Sequence, residues 1–160
     1  MEVEVEVGVS EVEWDEVHDG GFIGLIGPLL LRRRGDGGAR EYGLRCEPKH
    51  RNLRGVVQGG LIMAFADRAL GSTALAETGT QNMATVQLNV SFLGIVRVGD
   101  LLTSSPRIVR RTASIVFADS DLRVNDSVVA TATGVFKILA DSSTPVGVGA
   151  AAEGRLSVSP

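Results

Sequence analysis

Between Gln58 and Gly79 the chain reads QGGLIMAFADRALGSTALAETG, and no other stretch limits the fold as much. Two glycines open the run and Thr78–Gly79 close it in the manner of a glycine C-cap, which predicts a helix from Gly59 to Glu77. Apolar and small residues occur nearly all round it, so a sheet on one side is not enough and most of its surface must be covered. One carboxylate, Asp67, interrupts the run. An unpartnered carboxylate in apolar surroundings is costly. Arg68 is adjacent and so faces elsewhere, while the positions one turn away hold Met63 and Gly71. No local cation explains the aspartate.

After the helix the pattern changes to strands. MATVQLNVSFLG, DLLTSSPRIVRRT, ASIVFADSDLRV and SVVATATGVFKIL are rich in Val, Thr, Ile and Phe and are joined by short links. Short links predict an antiparallel meander of sequence neighbours. Upstream, FIGLIGPLLLRRR and REYGLRCE flank the turn GDGGA as a hairpin, and Pro48 to Gly55 forms a polar loop. In SEVEWDEVHD, Ser10 and Glu13 have capping-box spacing, which predicts a short helix ended by Gly20–Gly21. MEVEVEVGV alternates as a half-buried strand does, a pattern that a disordered terminus could equally show. The last twenty residues are small and polar and read as disordered. The expected organisation is an N-terminal extension with a short helix (1–20), one folded domain (21–140) and a tail (141–160). The class is α+β, a curved antiparallel sheet wrapped around one long central helix.

Composition excludes several functions. Net charge is −3 with no basic block beyond Arg32–Arg34, and aromatics are 4%, so neither a phosphate-backbone footprint nor a base-stacking platform is present. Cys46 is the one cysteine, which rules out an intramolecular disulfide and suits a cytosolic setting. Two histidines, His18 and His50, are too few for a histidine-based metal site. The N-terminus is acidic where a signal peptide would be basic, and no apolar run approaches the roughly 20 residues that span a bilayer. The chain reads as soluble and cytoplasmic, with no nucleic-acid or membrane partner.

The motifs resemble the hotdog-fold acyl-CoA thioesterases, specifically the phenylacetate-degradation (PaaI-like) type of the 4-hydroxybenzoyl-CoA thioesterase superfamily. That type carries an Asn, then His-Gly-Gly at the head of the central helix, then an acidic residue nine positions after the His. Here RNLRGVVQGGLIMAFADRALG offers Asn52, Gln58-Gly59-Gly60 and Asp67, and the next strand supplies Thr85 and a Gly99–Asp100 turn. The match covers about residues 45 to 138. It departs at one position, Gln58, where the motif has His.

The resemblance implies a dimer, or a tetramer of two dimers, that hydrolyses an acyl- or aryl-CoA thioester. Asp67 of one subunit would act as general base or nucleophile and face the Gly59 amide of the other across a shared cleft. Thr85 would position water, Asn52 would hold the loop or fix the carbonyl, and Gln58 would orient the thioester. Gly60 and Phe92 would touch substrate, and Arg110, Arg111, Thr112, Ala113 and Ser114 would meet the coenzyme A nucleotide and phosphates. Met63, Phe65 and Met83 join Phe92 as pocket or core residues. No metal or redox cofactor is implied, coenzyme A being part of the substrate.

The residue chemistry agrees independently. A helix N-terminus offers free N–H groups and a positive dipole end to a thioester carbonyl, and Gly59 and Gly60 place no Cβ in the way. Hotdog hydratases and dehydratases use a histidine that is missing here, since Ser72 stands five positions after Asp67 and no histidine follows His50. A non-catalytic acyl-CoA-binding protein is the other reading, and Gln58 is its only support.

Overall fold

The computed structural model describes residues 13–33 and 39–140. The alternating N-terminal segment, most of the GDGGA turn and the tail from 141 lie outside the described residues. The elements are β1 (Asp15–Val17), α1 (Gly21–Ile26), β2 (Leu29–Arg33), β3 (Arg40–Arg45), a 3-10 turn (Pro48–His50), α2 (Gly59–Thr78), β4 (Met83–Phe92), β5 (Leu101–Ser104), β6 (Arg107–Arg111), β7 (Ile115–Val124) and β8 (Ser127–Ile138). All strand pairs are antiparallel. The sheet order is β1-β2-β3-β5-β7-β8-β4, with β6 also paired to β7.

α2 starts and stops as its sequence dictates. Gln58 is extended, and Gly79 closes the helix at φ +69°, a left-handed conformation that glycine enters without strain. Leu61, Ile62, Phe65, Ala66, Ala69, Leu70 and Ala74 are buried against the sheet, where Leu44, Leu102, Val116, Leu122 and Phe136 meet them. The small residues let the strands approach closely. A Cβ built on Gly134 would lie 2.7 Å from the Phe136 ring and 3.1 Å from Leu70. Phe65 belongs wholly to this core and reaches no pocket surface.

Four expectations need correction. The segment before Gly20 is not helical where described. Asp15–Val17 instead extends along β2, pairing Glu16 with Leu30, because the open edge of the hairpin supplies backbone partners. The helix falls one segment later, on Gly21–Ile26, so the apolar run before the hairpin turn begins as helix and becomes strand only at Leu29.

The meander holds for β6-β7-β8 but not for β4, which sits beyond β8 at the sheet edge. The link after β4 explains this. The Val57 N–H donates to the Val96 carbonyl, and Cys46 exchanges bonds with Gly99 and Asp100, so the chain is led across to β3 before β5 begins. DLLTSSPRIVRRT also divides into two strands at Ser105–Pro106, where proline offers no N–H to a ladder.

Candidate active site

The sheet leaves one stripe of α2 uncovered. Gly60 and Met63 are exposed, and Ala64, Asp67 and Gly71 are half-buried. These positions recur at three- and four-residue intervals and therefore lie above one another on one helix face. The stripe adjoins β4, which has β8 on one side and, among the described residues, no strand on the other.

Asp67 is neither solvated beside Arg68 nor sealed in the core. Arg68 turns to Asp19, with Nη2 at 2.5 Å from Oδ2. The Thr85 hydroxyl donates to Asp67 Oδ1 at 2.9 Å, and no cation pairs with this carboxylate among the described residues. A β-bulge between Thr85 and Gln87 shifts the β4 register at this point, a device that re-aims side chains. Asp67, Thr85, Gly71, Ser72, Met83 and Phe136 line a cavity of ≈ 140 Å³.

The head of α2 is organised by the preceding loop. The Asn52 side-chain oxygen accepts the Arg54 N–H at 2.8 Å, and the Asn52 N–H donates to Val56. Gly55 takes φ +83° to complete the turn. The Gln58 N–H donates to the His50 carbonyl at 2.8 Å, and the Gln58 carbonyl accepts from Leu61. The Gln58 side chain makes no capping bond. The N–H groups of Gly59 and Gly60 precede the helix's own ladder and remain available. Phe92 stands over Gly59, with its Cζ 3.3 Å from where a Cβ would be.

His50, read from the sequence as a loop or structural histidine, is the buried anchor of this loop. Its Nδ1 accepts the Glu47 N–H at 3.0 Å in a reciprocal capping box, so the Nε2 carries the proton of the neutral ring. Burial, helped by the Lys49 ammonium, lowers its pKa, while Glu47 and the Ile26 carbonyl act in the opposite sense. No polar periodicity announces this; the only signal was an His-X-Asn pair just after a proline. Cys46 is buried as well, and burial, with the Asp100 carboxylate second, pushes its thiol up to about 11.

The structure thus brings Asp67 to Thr85, and Gly59 and Gly60 to Gln58, Asn52 and Phe92. It does not bring these two groups together within one chain. Eight residues separate Gly59 from Asp67 along α2, about 12 Å of helix. Arg110, Arg111, Thr112, Ala113 and Ser114 are exposed on the β6–β7 turn, at the C-terminal end of α2, where Arg111 donates to the Glu77 carbonyl at 3.3 Å. The Thr112 hydroxyl braces that turn by accepting from Ile115 N–H at 2.9 Å.

The family model described as "Thioesterase superfamily" matches residues 54–131, from the loop before α2 into β8. PA0474 of Pseudomonas aeruginosa, a protein carrying a provisional esterase name, is 34% identical over 120 residues, 73% of this chain and 87% of the relative. The chain belongs to the thioesterase superfamily.

Two solved structures are similar to this chain. A phenylacetic acid degradation-related protein of Ralstonia eutropha, provisionally named a thioesterase, is 31% identical with a TM-score of 0.61, covering 72% of this chain and 88% of that one. The BH2602 protein of Bacillus halodurans, solved with CoA, has a TM-score of 0.64 at 22% identity, covering 74% and 76%. The second likeness speaks to the fold alone. This thioesterase-superfamily chain therefore has the hotdog architecture expected of it, α+β with the curved sheet around α2, and the chemistry of the superfamily is thioester hydrolysis. Among the described residues no helix is long and apolar enough to cross a membrane.

Proposed function

We propose that the chain hydrolyses an acyl- or aryl-CoA thioester in a site shared by two subunits, in the cytoplasm. The observation that carries this is Asp67, a carboxylate held by the Thr85 hydroxyl on an otherwise uncovered apolar stripe, with no cation among the described residues to neutralise it. Eight residues of helix separate it from the free N–H groups of Gly59 and Gly60, too far for one small site. Two antiparallel copies of α2 laid stripe to stripe, with their β4 edges adjacent, would put the Gly59 of one copy opposite Asp67 of the other. The same packing covers the faces that one chain leaves open; a dimer suffices, and a dimer of dimers is compatible.

In that cleft the thioester carbonyl accepts from the Gly59 N–H at the positive end of α2. Asp67 removes a proton from water as the water oxygen bonds to the carbonyl carbon, or its own oxygen attacks to give a mixed anhydride that water then opens. In either route the C–S bond breaks and the coenzyme A sulfur leaves and takes up a proton. Thr85 orients the carboxylate, Gln58 sits where it can hydrogen-bond the thioester, and Asn52 keeps the loop in shape. Phe92 shields Gly59, and the exposed Arg110–Ser114 turn is a place for the nucleotide phosphates.

The test is thiol release from short-chain, long-chain and aryl acyl-CoAs by wild type and Asp67→Asn. Turnover that disappears in the variant while acyl-CoA binding persists supports the reading. Binding without turnover by wild type would favour the non-catalytic alternative, in which Gln58 marks lost chemistry.

A further inference from the structure

A second feature of the α2 head is not needed for hydrolysis as such. α1 leans on the core only through the half-buried Ile23 and Ile26, and Phe22 and Leu25 are 62% and 74% exposed on it. Beneath lies an open groove of ≈ 920 Å³ that runs to Gln58 and Gly60. Its apolar lining has the buried Leu61 and half-buried Ile26 at depth and the exposed Phe22 and Leu53 at the edges. Its charged lining is of one sign: Lys49, Arg51 and Arg54, with no carboxylate among the described residues that line it. Lys49 is already engaged, donating to the Gly27 carbonyl at 3.0 Å and pairing with Glu47 at 3.4 Å. Arg51 and Arg54 have no ion-pair partner among the described residues, and the Asn52 turn, through its bond to the Arg54 N–H, fixes the backbone that carries both.

We infer that this groove takes the acyl half of the substrate, and that the acyl group it favours is apolar along its length and anionic at its far end. The inference rests on the thioesterase reading above, which sets the carbonyl at the Gly59–Gly60 N–H groups where the groove begins. An apolar floor suits hydrocarbon; the pantetheine arm would leave its amides without partners there. Two free guanidiniums at the rim suit a carboxylate, which Arg grips by paired N–H donors, and the positive end of α2 adds to the same field.

The experiment measures binding and turnover separately. Adipoyl-CoA and hexanoyl-CoA share a six-carbon chain and differ in the terminal carboxylate. Their affinities are determined by calorimetry on Asp67→Asn protein, with and without Arg51→Gln and Arg54→Gln. Adipoyl-CoA binds about tenfold more tightly, and the double arginine substitution brings the ratio near one by weakening adipoyl-CoA. Equal affinity for the two thioesters in the parent overturns the inference. Equal weakening of both by the arginine substitutions also overturns it, and would assign the arginines to the phosphates of coenzyme A. Turnover of the same pair by wild type tests the thioesterase reading by itself, since a protein that hydrolyses neither still reports the binding ratio.

Discussion

The Thr85 hydroxyl donates to Asp67 Oδ1 across the gap between β4 and α2, at 2.9 Å, joining residues 18 apart in sequence. A threonine that only filled a strand position would not need its oxygen. Thr85→Ala removes one hydrogen bond to a charged acceptor, worth about 1.5–3 kcal/mol, and is expected to lower kcat by roughly ten- to a hundredfold with KM little changed. Thr85→Ser keeps the donor and retains most of the rate. Steady-state kinetics on the best thioester of the panel separate the two.

Neighbouring glycines at the head of α2 respond differently. A Cβ at Gly59 would stand 3.3 Å from the Phe92 ring, whereas one at Gly60 meets nothing closer than Gln58 Cγ at 4.0 Å. Gly60→Ala therefore leaves thermal stability unchanged or raises it by up to about 1 kcal/mol, because alanine is the better helix residue. Gly59→Ala crowds Phe92 and gains nothing. Thermal unfolding curves of the two variants, with Gly59→Ala/Phe92→Ala as the relieved control, give the comparison.

The core makes a harsher demand at Gly134. Its Cβ would come 2.7 Å from the Phe136 ring and 3.1 Å from Leu70, inside the α2–β8 contact. Gly134→Ala is expected to destabilise by about 1–3 kcal/mol, the usual range for overpacking. Urea titration checks it, and an unchanged midpoint would mean that the ring moves freely.

The imidazole of His50 is buried and favours its neutral form, so its pKa in the fold lies below the ordinary 6.5. Between those two values the unfolded chain binds more protons, and stability must fall as pH drops through that window. Above pH 6.5 the residue adds no slope. Protonation at Nδ1 also removes the acceptor for the Glu47 N–H, which loosens the loop bearing Asn52 and Gln58. Melting temperatures from pH 7.5 to 5 should show a decline that His50→Asn flattens.

What the sequence disclosed, it disclosed through period and punctuation. The glycines around α2 set its ends to within a residue, and the Val-Thr-Ile runs located the strands, because both signals are local. The order of those strands was not local. β4 reaches the sheet edge because the 93–100 link bonds to Cys46 and Val57, residues far upstream. β1 illustrates the same limit: a capping-box spacing favoured helix, while the open edge of β2 supplied partners that no window of sequence contains. At the site, Asp67 stood out as a carboxylate in an apolar run, whereas Thr85 was named only through the family resemblance. His50 did not stand out, since its importance lies in a carbonyl and a buried ring nitrogen. The groove under α1 was hidden by reading Phe22–Ile26 as strand.

The spacing of Gly59 and Asp67 on one rod has a genetic counterpart. If each site draws Gly59 from one subunit and Asp67 from the other, a chain damaged at Gly59 and a chain damaged at Asp67 are both dead alone. Co-expressed, they form mixed pairs in which one site collects both lesions and the other collects none. Random assortment then restores about a quarter of the wild-type rate from two inactive parents. A helix too long for one active site is thereby what makes two broken copies complementary.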